Sequence, residues 1–219
     1  RYAERFSRYL SALHAGSSRE ECAALREELR VDRMLNDLPS LIDGTLEGAE
    51  RTRDIVDALK RFSAPDRDER QECDLREIIE RAVHWVQKGT ADQFSVRMLF
   101  EETLCTAGSS GQLQQVVMNL VQNAADATEG APERSLEISG RAEGQEAVIE
   151  FRDNGPGIPA ANLGKLFDPF FTTKPVGRGT GLGLAISYGI VERHGGTLTA
   201  GNHPKGGALF CLRLPLARG

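Results

Sequence analysis

The chain changes character near residues 63–65, and this change constrains its fold more than any other feature of the sequence. Ser63, Ala64 and Pro65 are followed by a run of charged residues at 66–70. Before this point almost nothing has the pattern of a strand, whereas helical and strand patterns follow one another after it. We therefore predict a helical domain over 1–63, a linker over 64–73 and an α+β domain over 74–219.

The helical domain contains a heptad pattern. Its members step alternately by four and three residues, at Leu38, Ile42, Thr45, Ala49, Thr52, Val56 and Leu59. This spacing is typical of a helix that packs along another helix, here predicted over about 37–62 with Pro39 near its start. Residues 1–15 form a second helical stripe. A capping box that begins at Ser17 or Ser18 predicts a short helix between the two, so the domain is expected to be a helical hairpin with an elaborated turn.

The second domain alternates between the two kinds of pattern. We predict helices over 74–86, 112–128 and 183–194, and strands over 94–102, 135–141, 146–152, 196–201 and 208–214. Asp74 can cap the first helix, and Trp85 on that helix is expected to be in the core. The strands at 135–141 and 146–152 are expected to pair antiparallel. The resulting architecture is one sheet with helices on one face.

Composition excludes several classes of protein. The net charge of −5 over 219 residues provides no positive field for nucleic acid or anionic lipid. Four isolated cysteines without metal-ligand spacing fit a reducing cytosol, and no apolar window approaches the ~20 residues of a membrane span. We predict a cytoplasmic location without nucleic-acid or membrane contact. Because the chain begins with Arg1 instead of Met, we expect a piece of a longer protein, which could be membrane-anchored.

The first chemical cluster lies on the helix predicted at 112–128. Asn119 and Asn123 are four residues apart and share one face, with Asp126 adjacent. An asparagine oxygen can bind Mg²⁺ without adding negative charge beside a polyphosphate, so this face suits an ATP–Mg²⁺ site. Alternatively, both amides are ordinary hydrogen-bonding or solvent-facing residues.

The second cluster is Asp153-Asn154-Gly155-Pro156-Gly157-Ile158, directly after a predicted strand. A carboxylate there can accept a hydrogen bond from the amine of adenine, and the glycines allow the backbone to approach a flat ring. Taken alone, the same residues could also be an ordinary turn.

The third cluster is glycine-rich and opens a helix at residues 177–184. Helix N-terminal N–H groups and glycines can cradle an anion, and Lys174 and Arg178 add positive charge. The spacing matches neither a Walker loop nor a dinucleotide-binding loop.

Together these segments resemble a known family. NLVQNAADA, DNGPGIP, LFDPFFTTKPVGRGTGLGLAIS, HGG and GGALFCLRLP occur in the order found in the catalytic ATP-binding domain of bacterial sensor histidine kinases, within the Bergerat-fold ATPases. The resemblance covers about 74–216 and is greatest to the nitrogen-regulation and dicarboxylate-sensing branch. It implies an α/β sandwich that follows the dimerisation hairpin of a four-helix bundle.

The resemblance also implies roles for individual residues. Asn123 would hold Mg²⁺, Asn119 would line the phosphate region, and Asp153 would bind adenine. Asn119 and Lys174 are the candidates for phosphoryl transfer. Phe167, Phe170 and Phe171 would anchor a mobile lid. The remaining nucleotide-binding candidates are Asp126, Gly155, Gly157, Ile158, Thr173, Arg178, Gly179, Thr180, Gly181, Leu182, Gly183 and Leu184.

The chemistry at Asn119 bears on the reaction. In related gyrase-like and chaperone ATPases this position is a glutamate that acts as a general base on water, whereas an amide cannot accept a proton at neutral pH. This favours transfer of the γ-phosphoryl group to a protein nucleophile. An ATP-hydrolysing relative and a non-catalytic ATP-binding scaffold are the alternatives.

The histidine nucleophile is not evident in this chain. None of the four histidines is followed by the acidic residue and proline typical of a phosphoacceptor, and His14 alone lies on the predicted hairpin. The second hairpin helix is predicted to be about 39 Å long and the first about 22 Å. We therefore expect the acceptor upstream of Arg1, a homodimer formed through the hairpin, and a response-regulator receiver domain as the final acceptor.

Overall fold

The computed structural model describes residues 2–63, 71–90, 94–175 and 179–217. These form two compact units, Arg1–Asp54 and Ile55–Gly219, which we describe separately. The boundary between the units lies within a long helix, whereas the sequence placed the domain boundary after residue 63. Most of the predicted linker, residues 64–70, lies outside the described residues.

The first unit is built from three helices, α1 (Tyr2–His14), α2 (Arg19–Glu28) and the start of α3 (Val31–Ser63). The Ser18 hydroxyl accepts a hydrogen bond from the N–H of Glu21, and the Glu21 carboxylate accepts one from the N–H of Ser18, so the predicted capping box is present. The Tyr2 hydroxyl donates to Asp37, and Arg8 forms an ion pair with Glu28. α1 therefore runs antiparallel to α2 and the beginning of α3.

Helix α3 begins earlier than predicted. It starts at Val31 instead of about 37, so Pro39 lies inside the helix and not in its first turn. A proline there removes the hydrogen bond to the carbonyl of Leu35. Val31 and Met34 are each 2% exposed, and this burial provides a tertiary reason for the early start that the heptad pattern does not contain.

The second unit contains a mixed five-stranded sheet in the order β2-β4-β5-β7-β6. Its strands are β2 (Phe94–Phe100), β4 (Arg134–Glu143), β5 (Glu146–Asp153), β6 (Thr197–Asn202) and β7 (Ala208–Pro215). β2 and β4 are parallel, and the other neighbours, including the predicted pair β4 and β5, are antiparallel. Burial alternates along β7, as expected for a sheet covered on one face.

The helices α4 (Leu75–Gly89), α5 (Ser110–Ala127) and α7 (Gly183–Arg193) cover the apolar face of this sheet, and α6 (Ala160–Leu163) is a single turn. Asp74 caps α4 by accepting hydrogen bonds from the N–H groups of Arg76 and Glu77, as predicted. The side chain of Ser109 caps α5. The predicted α+β architecture, with helices on one sheet face, is therefore confirmed.

A second, smaller sheet was not predicted. β1 (Gln71–Asp74) pairs antiparallel with β3 (Cys105–Gly108), so the last residues of the predicted linker form a strand. Both strands have four residues and little apolar alternation, and tertiary bonds hold them: Thr106 donates to the carbonyl of Pro215, and the Cys73 thiol donates to that of Gly108. Burial raises the pKa of the Cys73 thiol, which favours its protonated form.

The prediction that Trp85 lies in the core is wrong. Its side chain is 61% exposed on α4. The buried stripe of that helix is already filled by Ile78, Ile79, Ala82, Val83 and Val86, and Trp85 lies at the edge of this stripe.

Candidate functional site

Helix α5 presents its predicted polar face to the beginning of α7. The side-chain amide of Asn119 donates to the carbonyl of Gly183 and to the hydroxyl of Ser187, each over 3.1 Å. A Cβ atom at Gly183 would lie 3.6 Å from Asn119, an ordinary contact distance. The two helices therefore meet where α7 begins.

A lysine lies against the other polar residues of this face. The Lys174 ammonium donates to Asn123 Oδ1 over 3.2 Å and to Asp126 Oδ2 over 2.5 Å, and the side chains of Lys174 and Asp126 are both 33% exposed. Asp126 Oδ1 accepts a further bond from Gln122. One positive group therefore fits between a neutral oxygen and an anionic oxygen.

The first turn of α7 has the features of an anion site. Leu182 at the N-cap supplies no side-chain cap, and no hydrogen bond from the N–H groups of Gly183, Leu184 and Ala185 to another described residue is found, so these groups can bind a ligand. Thr180 accepts a weak bond from the backbone of Leu182, at 3.4 Å. This first turn adjoins Asn119, so it is continuous with the polar face of α5.

The segment before α7 depends on a glycine. Gly181 has a φ of +67°, and a Cβ atom there would overlap the backbone of Phe170. The N–H of Phe170 donates to the carbonyl of Gly181 over 2.9 Å, and Phe170 itself has a φ of +68°. These contacts join the two ends of the segment that contains Lys174.

The phenylalanines and threonines of this segment differ in their environment. Phe167 packs against the core and its ring lies 5.3 Å from that of Tyr188, whereas Phe170 is 59% exposed. Phe170 is thus not anchored by burial, in contrast to the expectation. Phe171 is half-buried and Thr173 is exposed. Gly179 lies close to Thr172 and Lys174, and Arg178 lies outside the described residues.

A buried carboxylate marks the opposite end of the site. Asp153 ends β5, is 4% exposed, and accepts hydrogen bonds at Oδ1 from the N–H groups of Gly155 (2.8 Å) and Ala208 (3.1 Å). Among the described residues no hydrogen bond to Oδ2 is found. These two N–H donors hold Oδ1 in place and leave the second oxygen, Oδ2, as an acceptor for a ligand.

The loop after Asp153 fits tightly among its neighbours. A Cβ atom at Gly155 would lie 2.9 Å from the carbonyl of Ala127 at the end of α5. Gly157 has a φ of +77°, and a Cβ atom there would lie 2.7 Å from Asn202. Asn202 also bonds to both backbone groups of Ile158. Because Ala127 ends the helix that contains Asn119, α5 runs from the α7 turn to this loop.

Sequence reasoning missed the residues that hold Asp153 and the loop after it: Gly207 and Ala208 contact Asp153, and Asn202 contacts Gly157 and Ile158. A Cβ atom at Gly207 would overlap the carbonyl of Asp153, and its φ is +83°. The glycine pair before the last strand was a signal of a tight turn. The contact of Gly207 with Asp153 joins residues 54 positions apart along the chain, so it depends on the tertiary structure and could not be seen in the sequence.

The described residues contain no group of three or more His, Cys, Asp and Glu side chains that could form a metal cage. No helix in the described part of the chain is long and apolar enough to cross a membrane.

Known proteins are similar to this chain in sequence and in fold. The family model for histidine kinase-, DNA gyrase B-, and HSP90-like ATPases matches residues 108–218. The two-component sensor PprA of Pseudomonas aeruginosa is 44% identical over 121 residues, covering 53% of this chain and 13% of PprA. The C4-dicarboxylate transport sensor protein DctB of the same species is 34% identical over 167 residues, covering 75% of this chain and 27% of DctB.

A solved structure of the mycobacterial sensor histidine kinase MprB matches with a TM-score of 0.60 and 26% identity, covering 68% of this chain and 99% of that one. The chain therefore belongs to the histidine kinase-, DNA gyrase B- and HSP90-like ATPase family, and its second unit is an ATP-binding domain of the histidine-kinase type. The resemblance expected from the sequence is confirmed. The chain spans only a part of the curated relatives, 13% of PprA and 27% of DctB.

Proposed function

We propose that this chain is the catalytic part of a sensor histidine kinase that binds Mg²⁺-ATP and donates the γ-phosphoryl group to a histidine of the complete protein. The phosphoryl group then passes to an aspartate on the receiver domain of a response regulator. The observation that carries the proposal is the Asn119 amide, which is fixed against the α7 turn. By the family resemblance, related hydrolases have a glutamate base at this position.

The chemistry of Asn119 supports transfer over hydrolysis. Both hydrogen bonds use its amide nitrogen as donor, to Gly183 and Ser187, and an amide does not take a proton from water at neutral pH. The carboxylate nearest on the same helix face, Asp126, is paired with Lys174. Water beside the phosphates would thus lack an activating base, while a nucleophile supplied by another protein segment could react.

The polar groups also suggest how the nucleotide lies. Asp153 Oδ2 would accept the adenine amine, and the α7 turn would bind phosphate oxygens through its N–H groups. Asn123 and Asp126 already hold one cation between their oxygens, the Lys174 ammonium, so the same oxygens suit Mg²⁺. Mg²⁺, when bound there with the phosphates, would neutralise their charge. Lys174 would then be free to contact the nucleotide.

The first unit supports the proposed homodimer. Leu38 and Ile42, members of the heptad pattern on α3, are 37% and 50% exposed. Thr45 and Thr52 of the same pattern donate their hydroxyls to carbonyls one turn earlier, which allows them to be buried between helices. A second copy of the chain that covers this face of α3 would complete a four-helix bundle.

The test separates transfer, hydrolysis and binding. The chain is titrated with ATP in the presence and absence of Mg²⁺ by calorimetry, steady-state phosphate release is measured, and the protein is incubated with γ-labelled ATP. We expect Mg²⁺-dependent binding, negligible phosphate release and no label on His14, the exposed last residue of α1. Steady phosphate release would indicate a hydrolase, and label on His14 would contradict the assignment of the acceptor to another histidine.

The transfer step needs the complete protein. Acid-labile, base-stable label on a histidine of that protein, lost on substitution of Asn123 with Ala, would support the kinase. ATP binding without any such label would instead favour a nucleotide-binding scaffold.

A further inference from the structure

The turn between β6 and β7 contacts the loop after Asp153 from two sides. At the start of β7, the N–H of Ala208 donates to Asp153 Oδ1 and Gly207 lies against the Asp153 carbonyl. At the end of β6, the side chain of Asn202 contacts Ile158. The carboxylate and the loop beside it are therefore held by different residues of one turn.

The Asn202 amide pairs with backbone in the way a neighbouring strand would. Its Oδ1 accepts the N–H of Ile158 and its Nδ2 donates to the carbonyl of the same residue, both over 2.7 Å. Asn202 Oδ1 would also lie 2.7 Å from a Cβ atom at Gly157, so this approach requires a glycine. The Asn202 side chain thus sets the path of residues 157 and 158.

This pairing decides what the loop can offer a ligand. Both backbone polar groups of Ile158 are used by Asn202, and the Ile158 side chain packs against the core beside the Asp153 strand. The loop therefore presents apolar surface and glycine backbone next to a carboxylate acceptor. Such a surface suits the face of a flat ring, while Asp153 accepts a hydrogen bond from the polar edge of the same ring.

We propose that Asn202 is a positioning residue for the base of the nucleotide, acting through Gly157 and Ile158 and independently of the Asp153 acceptor. Asp153 stays in place without Asn202, because β5 and the N–H of Ala208 hold it. The inference rests on the proposed function, since it assumes that the base lies beside Asp153.

The test compares three ligands by their dissociation constants with wild-type protein and the variant Asn202→Ala. The ligands are ATP, the triphosphate of purine riboside, which lacks the adenine amine, and inorganic triphosphate, which lacks a base. Asn202→Ala should weaken binding of both base-bearing ligands by about three- to tenfold, the loss expected for solvent-accessible hydrogen bonds, and leave inorganic triphosphate unchanged. Asp153→Asn should instead weaken ATP selectively over purine riboside triphosphate.

Two further variants separate an effect on ligand binding from an effect on folding. Asn202→Asp keeps an acceptor for the N–H of Ile158 but loses the donor, so it should give the same ligand pattern as Asn202→Ala. Lys205→Ala, an exposed position in the same turn, should change none of the three constants. Thermal unfolding midpoints are measured for every variant.

Unchanged ATP affinity in Asn202→Ala and Asn202→Asp, or an equal loss for all three ligands, would overturn the inference while leaving the proposed function intact. A wild-type protein that binds no ATP would overturn both, and the two failures are therefore distinguishable.

Discussion

The two ends of the candidate site are built differently. At the proposed base end, Asp153 is 4% exposed and is held by backbone N–H groups, with glycines fitted closely around it. At the proposed phosphate end, Asn123 and Asp126 are held together by the side chain of Lys174, which is 33% exposed. Under the proposed function, the base end is thus preformed, whereas the phosphate end would exchange one cation contact for others when nucleotide binds.

The difference matches what each end is proposed to recognise. A flat ring of fixed shape is best met by a rigid surface, so the hydrogen bonds that define it can be buried in the sheet. A triphosphate arrives with its own cation and much negative charge, and groups that bind it must remain accessible to water until then. Four predictions test this contrast, from the largest expected effect to the smallest.

The largest effect concerns stability at the base end. Gly207→Ala places a Cβ atom against the Asp153 carbonyl at a φ of +83°, and should lower the free energy of unfolding by about 3 kcal/mol. Gly183→Ala at the phosphate end, where the nearest atom would be 3.6 Å away, should change it by less than about 0.5 kcal/mol. Urea unfolding of both variants measures the two free energies. Equal losses of stability would contradict the difference between the two ends.

Asp153→Asn tests recognition at the base end. The amide should bind ATP about 10- to 100-fold more weakly than the carboxylate, because a charged acceptor is lost from a buried site. The loss should be the same at low and high salt, since the group is shielded from ions. Calorimetric titration at two salt concentrations measures it, and a loss that disappears in salt would contradict a buried, preformed acceptor.

Asn123→Ala tests the proposed metal position. It should weaken ATP binding about tenfold in the presence of Mg²⁺ and have little effect in EDTA, because the amide oxygen matters to the metal. Asn119→Ala is the comparison, because the Asn119 amide bonds to Gly183 and Ser187 and not to Lys174. Its effect on ATP affinity should not depend on Mg²⁺. Equal losses for Asn123→Ala with and without Mg²⁺ would place the metal elsewhere.

Lys174→Met should have the smallest effect, about a threefold loss of ATP affinity at low salt that diminishes at high salt. Its side chain is a third exposed. On nucleotide binding it is proposed to exchange the oxygens of Asn123 and Asp126 for those of the nucleotide, so the net gain in binding is small. Lys174→Arg keeps the charge and should retain most of the affinity. If Lys174→Met lost more ATP affinity than Asp153→Asn, the phosphate end would contribute more to binding than the base end, which would contradict the account.

Sequence reasoning located the residues whose neighbours are close along the chain. Asn119, Asn123 and Asp126 share a helix face because of helical periodicity, and Asp153 ends a strand that is marked by its apolar residues. It missed Asn202 and Ala208, since their bonds to the loop at 153–158 depend on how β6 and β7 meet β5. It also missed β1 and β3, whose four-residue strands are held by tertiary bonds, and it placed Trp85 in the core by residue type alone.

Amide hydrogen exchange tests the contrast between the two ends most directly. In the nucleotide-free protein, the N–H groups of Gly155 and Ala208, which donate to Asp153, should be protected, while those of Gly183, Leu184 and Ala185 exchange rapidly. Addition of Mg²⁺-ATP should protect the α7 turn and leave the base end nearly unchanged. Slow exchange at both ends before nucleotide is added, or no new protection at the α7 turn afterwards, would contradict the account.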